Sequence, residues 1–298
     1  MQSLDITAII LTKNERVHIV RCLERLKGVA SRVVVVDSLS TDGTQELARE
    51  HGAEVVEHAW PGNQAAQFNW ALDNLQISTA WILRLDADEY LTPELIEELR
   101  VKLPGMSESV SSLSLSRARC FMGRRLRHGI VNSVEIVRMF RPGCARYENR
   151  IMDEHLAILS GSTLRMEHQF VDDNLMPIGD FIVKHNNYAT REAALLLIDE
   201  IAGTEADSKH DKAVERKRRQ KSRYARMPLF WRAFGYFSYR YIFRLGFLDG
   251  KEGFLWDFMQ GWWYRTLVDA KVLELKRASG GDATKLREIL ARDYGISL

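Results

Sequence analysis

The stretch Trp81-Ile82-Leu83-Arg84-Leu85-Asp86-Ala87-Asp88-Glu89 decides how this chain is read, because an apolar run of strand length stops there at three carboxylates. A short, bounded run of this kind suits a buried strand that delivers a site at its end. Asp86 and Asp88 stand two residues apart, so on extended backbone they share a face, and a bend after the strand would aim both at one cation. Their hard oxygens suit Mg²⁺ or Mn²⁺, which take one or two protein carboxylates and fill the rest of the shell with water and substrate phosphates. The competing reading is a solvated acidic turn ahead of a helix, with Glu89 and Glu94 merely favouring the helix N-terminus.

The elements before this stretch favour the site. Ile6-Thr7-Ala8-Ile9-Ile10-Leu11 is β-rich and almost continuously apolar, as a parallel strand covered on both faces must be, and it ends at Thr12-Lys13-Asn14-Glu15. Arg16 to Leu26 has helical periodicity, with Gly28 as its stop. Val33 to Val36 forms a second strand ending at Asp37, followed by the turn-forming Ser38-Leu39-Ser40-Thr41-Asp42-Gly43-Thr44, a helix from Thr44 to His51 and a short strand over Ala53 to Glu57. Alternating strand and helix predicts right-handed crossovers and a mainly parallel, Rossmann-like sheet with helices on both faces. Ligands of such sheets bind beyond the carboxyl ends of the strands, where Thr12 to Glu15, Asp37 and Asp86 to Asp88 all fall.

Gln64 to Leu75 reads as a helix burying Ala65, Phe68, Ala71, Leu72 and Leu75, with Gln67 and Asn69 either reaching the crevice or remaining surface amides. Glu94 to Leu103 reads as a solvent-facing helix, and Ser109 to Ser116 and Val134 to Phe140 as strands. Arg124, Arg125, Arg127 and His128 between them either attract an anion or decorate a solvated hairpin. A second concentration of acid-base chemistry follows at Glu148-Asn149-Arg150-Ile151-Met152-Asp153-Glu154-His155. Adjacent carboxylates beside a histidine supply a proton acceptor, a neighbouring charge that raises its pKa and a further metal ligand; the alternative is a surface turn paired with Arg150.

At 298 residues the chain can hold a large core plus an appended region, and 46% apolar with 28% charged residues excludes a disordered polymer. The net charge of +2 gives no reason to expect nucleic acid. Three separated cysteines, Cys22, Cys120 and Cys144, suggest free thiols in a reducing cytoplasm. Neither a signal peptide nor a spanning helix is expected.

The second half differs in character. Asp180 to Ala202 is a helical pattern closed by Gly203, after which Lys212, Arg216, Lys217, Arg218, Arg219, Lys221, Arg223 and Arg226 crowd together before Pro228. Leu229 to Phe247 is dense in aromatics, with Arg232, Arg240 and Arg244 on one helical sector of roughly 120°. This predicts a catalytic domain over residues 1–205 and a basic, aromatic helical region over 206–298 that lies on an anionic membrane surface, its arginines meeting headgroups. A helix packed through its aromatics and an RNA-binding patch are the alternatives.

The segments Ile9 to Glu15, Val34 to Ser38 with Ser40 to Thr44, and Leu85 to Glu89 together resemble the family 2 glycosyltransferases, inverting enzymes of the GT-A fold. Met152 to Leu156 and Phe243 to Lys251 are similar to the bacterial subgroup that builds lipopolysaccharide core and cell-surface glycans, including core β-glucosyltransferase-like proteins. The resemblance implies that Thr12, Asn14, Glu15, Asp37, Ser38, Gln67, Asp86 and Ala87 hold a nucleotide-sugar donor, with UDP as the expected nucleotide. It further implies that Asp88, with Asp86 and His155, holds a divalent cation, Mg²⁺ or Mn²⁺. Asp153 or Glu154 would be the base that deprotonates a hydroxyl of a lipid-linked or lipopolysaccharide-type acceptor. Relatives carry Glu-Asp or His-Glu at that place, so the choice between Asp153 and Glu154 stays open. The expected location is the cytoplasmic face of the bacterial inner membrane. A metal-dependent nucleotidyltransferase and a non-catalytic glycan-binding module are the other classes; the former would favour a glycine-rich loop after the first strand, and Thr12 to Glu15 has no glycine.

Overall fold

The structure, a computed structural model, describes residues 3–131, 134–148, 156–202 and 227–296. It divides into two compact units, Met1–Leu175 and Met176–Leu298.

The first unit is built on one mixed sheet. Its parallel part contains β1 (Leu4–Thr12), β2 (Ala30–Asp37), β3 (Glu54–Glu57) and β4 (Trp81–Asp86) in the order β3-β2-β1-β4. The crossovers carry α1 (Arg16–Leu26), α2 (Thr44–Glu50) and α3 (Gln64–Asn74). Beyond β4 the sheet continues through β8 (Glu135–Phe140), β6 (Val110–Phe121), β11 (Ser162–Asp173) and β5 (Glu89–Leu91), with β7 (Arg124–Leu126) hairpinned on β6. There the pairs are antiparallel except β6 with β11, so only the nucleating half of the sheet has the all-parallel character expected from βαβ alternation.

The near-continuous apolar strands follow from burial on two faces. Along β1, Ile6, Ala8 and Ile10 enter one core, shared with Ile19 and Leu23 of α1. The alternate residues Ile9 and Leu11 enter a second core with Phe68 and Ala71 of α3. Local chemistry fixes the helix starts. The Asn63 side chain caps α3 by accepting from Ala66 N–H at 2.7 Å, and Thr92 caps α4 (Pro93–Lys102) by accepting from Leu95 N–H at 3.3 Å, with Pro93 in the first turn.

A small second sheet pairs β9 (Ala145–Tyr147) with β10 (Leu156–Ile158), Leu156 lying opposite Tyr147. Asn69 of α3 treats Tyr147 as a strand partner would, donating to its carbonyl at 2.9 Å and accepting from its N–H at 3.0 Å. The stretch between Tyr147 and Leu156 in sequence carries Asp153, Glu154 and His155, which lie outside the described residues.

The second unit opens with a long helix. Helix α5 (Ile178–Ala202) buries Ala189, Ala193, Ala194 and Leu197 against Val268, Val272 and Leu275 of the helix Tyr264–Ser279, and the Tyr264 hydroxyl donates to Glu192 at 2.7 Å. The partner of its apolar stripe thus lies far along the chain, where periodicity alone cannot locate it. The single long helix expected over Leu229 to Phe247 is instead Trp231–Ser238, a π-helical turn over Tyr239–Phe243 and a sharp turn in which Leu245 takes a φ of 59°. Gly246 permits that turn: a Cβ there would lie 1.9 Å from Asp257 Oδ2. Among the described residues no helix is long and apolar enough to cross a membrane.

Of Arg232, Arg240 and Arg244, the first two do not project outward as expected, whereas Arg244 is exposed. Arg232, 3% exposed, is ion-paired with Asp269, and Arg240, 8% exposed, donates to Asp257 at 2.8 Å. A helical sector rich in arginine is a solvent face only when no acid stands opposite it, and here Asp269 and Asp257 do. The basic run from Lys212 to Arg226 lies outside the described residues.

Candidate active site

Sheet register brings the predicted strand ends to one level. Thr12 pairs with Asp37 across β1 and β2, and Leu11 pairs with Asp86 across β1 and β4, so the three parallel strands end together at their carboxyl side.

Two layers are stacked there. The lower one is buried and fully engaged. The Asp37 carboxylate accepts from Thr12 Oγ1 at 2.7 Å, Ser40 Oγ at 2.6 Å, Ser40 N–H at 2.7 Å and Gln45 Nε2 at 2.7 Å. These four donors match the acceptor sites of a carboxylate. Burial pushes the Asp37 carboxyl up, but the hydrogen bonds from Ser40, Thr12 and Gln45 outweigh it and hold the group below the ordinary carboxylate range. Gln67, fully buried rather than a surface amide, donates to Ser38 Oγ and the His58 carbonyl, each at 3.1 Å, and its own carbonyl lies 2.6 Å from His58 Nδ1. His58 is in turn stacked on Trp70 at 3.9 Å.

The upper layer is exposed and knits the two loops together. Lys13 Nζ donates to the carbonyls of Ser38 at 2.8 Å and Leu39 at 2.7 Å. Asn14, at a φ of 56°, donates its N–H to Ser40 Oγ and accepts from Thr41 N–H. Glu15 N–H donates to Thr44 Oγ1 at 2.9 Å. Its carboxylate lies 2.6 Å from Nδ1 of buried His18, whose Nε2 accepts from Leu175 N–H at 2.9 Å. That acceptor role places the neutral ring's proton on Nδ1, facing Glu15.

At the end of β4 the side chains part. Asp86 and Asp88 are half-buried, whereas Ala87 and Glu89 are buried. Asp88 accepts from Asn174 Nδ2 at 3.1 Å, while its carbonyl accepts from Asp173 N–H at 3.0 Å; Arg21, ion-paired with Asp173 at 2.6 Å, braces the same corner. Asp86 stands between two arginines, with Arg138 Nη2 3.4 Å from Oδ2 and Arg84 Nη2 3.6 Å from Oδ1. Glu89 turns away from the opening. It accepts from Asp86 N–H at 3.0 Å and is ion-paired with Arg138. Burial pushes the Glu89 carboxyl up, against the pull of the Arg138 guanidinium. Asp172, opposite Glu89 across β11 and β5, is raised by burial to about 6 against the pull of Arg119 and Arg117. Arg84 also reaches the second sheet, its guanidinium 4.4 Å from the centre of the Tyr147 ring. Asp86, Arg84 and Tyr147 thus form a continuous contact from the end of β4 to the residue after which the Asp153-Glu154 segment begins.

Among the described residues no group of three or more His, Cys, Asp or Glu is placed to hold a metal. The donor set nevertheless fits a cation that takes one or two protein carboxylates and completes its shell with diphosphate and water. Asp88 is open enough to serve, while Asp86 is already flanked by Arg84 and Arg138. Sequence reasoning missed Arg138, Asp172 and Asn174; charged residues inside the strand-like runs of β8 and β11 were the available signal for the first two.

In the first unit, residues 7–147 match the family model described as Glycosyl transferase family 2. With its parallel strand order and flanking helices, this unit has the GT-A fold of nucleotide-diphospho-sugar transferases, followed by a C-terminal helical region. An "Uncharacterized glycosyltransferase" of Rickettsia felis is 42% identical over 94 residues, 32% of each chain, so the match spans about a third of that relative's length. The "Lipopolysaccharide core biosynthesis glycosyltransferase LpsC" of Rhizobium meliloti is 28% identical over 207 residues, 64% of this chain and 71% of that one. Among solved structures, glucosyl-3-phosphoglycerate synthase from Mycobacterium tuberculosis in complex with Mn²⁺, UDP and glucosyl-3-phosphoglycerate is 20% identical, covering 39% of this chain and 44% of that one, with a TM-score of 0.32. Residues 1–349 of S. aureus TarS are 15% identical, covering 99% of this chain and 92% of that one, with a TM-score of 0.42.

Proposed function

We propose that the chain is a metal-dependent, inverting glycosyltransferase that moves a sugar from a nucleotide-diphosphate donor, a UDP-sugar, to a hydroxyl of a lipid-linked or lipopolysaccharide-type glycan. The core β-glucosyltransferase-like subgroup is part of the same reading. The observation that carries it is the common level of Thr12, Asp37 and Asp86 at the carboxyl ends of three adjacent parallel strands, inside the region matched by the family model.

In this reading the donor's nucleoside lies on the loops shaped by Asp37, contacting Thr12, Asn14, Glu15 and Ser38, with Gln67 supporting Ser38 from below. Asp86 and Ala87 face the ribose and diphosphate. Asp88, with Asp86 and His155, would hold the Mg²⁺ or Mn²⁺, which when bound neutralises charge on the leaving diphosphate. Asp153 or Glu154 takes the proton of the acceptor hydroxyl, and a single in-line displacement inverts the anomeric carbon. The contact from Asp86 through Arg84 to Tyr147 supports placing that base beside the donor, since Tyr147 and Leu156 are cross-strand partners on either side of the segment. The proposed location is peripheral, on the cytoplasmic face of the bacterial inner membrane, where such acceptors are assembled.

The test is thermal unfolding of the full chain with a panel of sugar nucleotides plus Mn²⁺ or Mg²⁺. A donor present at about a hundredfold its Kd stabilises by roughly 2.7 kcal/mol. The expected result is stabilisation by UDP-sugars that needs the cation and is lost in Asp88→Ala. Failure of every sugar nucleotide to stabilise the wild type would overturn the proposal.

A further inference from the structure

The second unit holds an outward-facing apolar tip whose surroundings identify what it meets. The helix Trp231–Ser238 with its π-helical continuation and the helix Gly250–Asp257 with its continuation over Phe258–Trp263 are joined by Arg244 to Asp249. Rings of the two arms interlock: Phe237 stacks on Tyr241 at 5.5 Å, Tyr241 meets Phe254 edge-on at 5.5 Å, and Phe234 meets Trp262 at 5.1 Å. Gly246 and Gly253 let the arms close at the joint, since a Cβ on Gly253 would lie 2.5 Å from the Gly246 carbonyl oxygen. The tip is therefore a packed element, yet Ile242, Phe243, Leu245, Phe247 and Leu248 all lie exposed there, Phe243 at 74%.

Charge sorts itself at this tip. The acids Asp249 and Asp257 are buried, and Asp257 is paired with Arg240. The bases Arg244 and Lys251 are exposed, Lys251 with its ammonium 3.8 Å from the mostly buried Glu252. In sequence, the basic run Arg216-Lys217-Arg218-Arg219 lies a short way upstream. An apolar surface rimmed by outward cations, with its acids drawn inside, is complementary to an anionic lipid interface, whose headgroup phosphates meet the cations while its acyl boundary takes the rings.

We propose that the tip Ile242–Leu248 inserts into the interface of an anionic bilayer, with Arg244 and Lys251 on the headgroup phosphates. This rests on the membrane location proposed above and replaces the arginines expected to serve it, because Arg232 and Arg240 are committed to internal ion pairs.

The experiment is co-sedimentation of the full chain with vesicles of equal parts phosphatidylglycerol and phosphatidylcholine, and with phosphatidylcholine alone. The wild type should bind the mixed vesicles more strongly. Phe243→Ser/Leu248→Ser should weaken binding roughly tenfold, and Arg244→Glu about fivefold or more, each with an unchanged unfolding midpoint because the altered side chains are exposed. Val101→Ser, at another exposed apolar residue, should bind as wild type. Equal binding by wild type and both tip variants would overturn the tip while leaving the membrane location standing. No binding by the wild type would overturn both. Self-association of the wild type that Phe243→Ser/Leu248→Ser abolishes, without vesicle binding, would show that the tip seats a second copy of the chain, and would also overturn the proposal.

Discussion

Replacing Arg138 by Met tests whether the end of β4 is held by a buried charge pair. Arg138 and Glu89 are 4% and 1% exposed, so neither can exchange its partner for water. Met keeps much of the side-chain volume but removes the charge-assisted hydrogen bond to Glu89, worth about 1.5–3 kcal/mol. It also removes the stacking of the guanidinium over Phe170, 5.2 Å from the ring centre, worth roughly another 0.5–1 kcal/mol. The sum, about 2–4 kcal/mol, meets the lower part of the range for breaking a buried pair. That is the expected side, since Glu89, already raised by burial, can take up a proton once Arg138 is gone. For a unit of this size the loss corresponds to a fall in Tm of roughly 5–15 °C. The assay is thermal and urea unfolding of wild type, Arg138→Met, Glu89→Gln and the double variant. Because the two changes remove one interaction, the double variant should be more stable than additivity predicts, by about 2 kcal/mol. Strict additivity, or an Arg138→Met protein within about 0.5 kcal/mol of wild type, would refute the pair as the brace of this loop.

Glu98 accepts from Lys102 and from the N–H groups of Glu167 and His168, which bulge out of register in β11. Although burial raises its carboxyl, those hydrogen bonds bring it down to about 2, so its stabilisation is present above the unfolded value near 4.5 and is lost as pH falls toward 2. Glu98→Gln should therefore flatten that part of the stability profile by on the order of 2 kcal/mol, read from urea midpoints across the acid range. Gly246→Ala should cost about 1–3 kcal/mol or more, because its Cβ would lie 1.9 Å from Asp257 Oδ2; an unchanged unfolding midpoint would contradict the close approach. Asn69→Leu strands both polar groups of Tyr147 and should cost about 1–3 kcal/mol, while lowering sugar transfer at a temperature where the protein is fully folded. Transfer equal to wild type under those conditions would separate Tyr147 from the placement of the base.

The legible part of the fold was the part dictated by short-range pattern. β1, β2 and β4 are buried on both faces, so they appear as apolar runs, and the polar residues that stop each run mark the carboxyl ends of the strands. Asp86 and Asp88 were placed at the end of β4 for the same reason, while the burial of Glu89 and its pairing with Arg138 were not legible there. What pattern could not supply was long-range pairing. Arg138 is one charge in an apolar strand, and its meaning depends on Glu89, which reaches the same place from β5. Arg232 and Arg240 suggest an outward stripe until Asp269 and Asp257 are placed opposite them. The packing of α5 is of the same kind, because its apolar stripe is buried against Tyr264–Ser279, a partner far along the chain.

The division between the two layers at the strand ends bears on how a donor could be recognised. Asp37 is one of the residues that the sequence reading expects to hold the donor, yet its four acceptor positions are taken by Thr12, Ser40 and Gln45. A ligand amide can reach it only by displacing a donor, and of the side-chain donors the half-buried Ser40 hydroxyl and Gln45 amide, unlike the buried Thr12 hydroxyl, have room to turn away without moving backbone. The exposed loop residues Lys13, Asn14 and Thr41 would then meet the ligand first, in a conformation that Asp37 has set from beneath. This distinguishes two substitutions that a direct-contact view treats alike. Ser40→Ala frees an acceptor position of Asp37 and removes a hydroxyl that a ligand can displace, so donor affinity should hold or rise while the loop loses about 1 kcal/mol of stability. Asp37→Asn replaces one oxygen, and with it two of the four acceptor positions, by an amide donor that faces other donors, Ser40 N–H and Gln45 on one side or Thr12 and the Ser40 hydroxyl on the other, so both affinity and stability should fall. Titration of the two variants with the donor that stabilises the wild type decides between the views, and an equal loss of affinity in both would show that Ser40 itself binds the ligand.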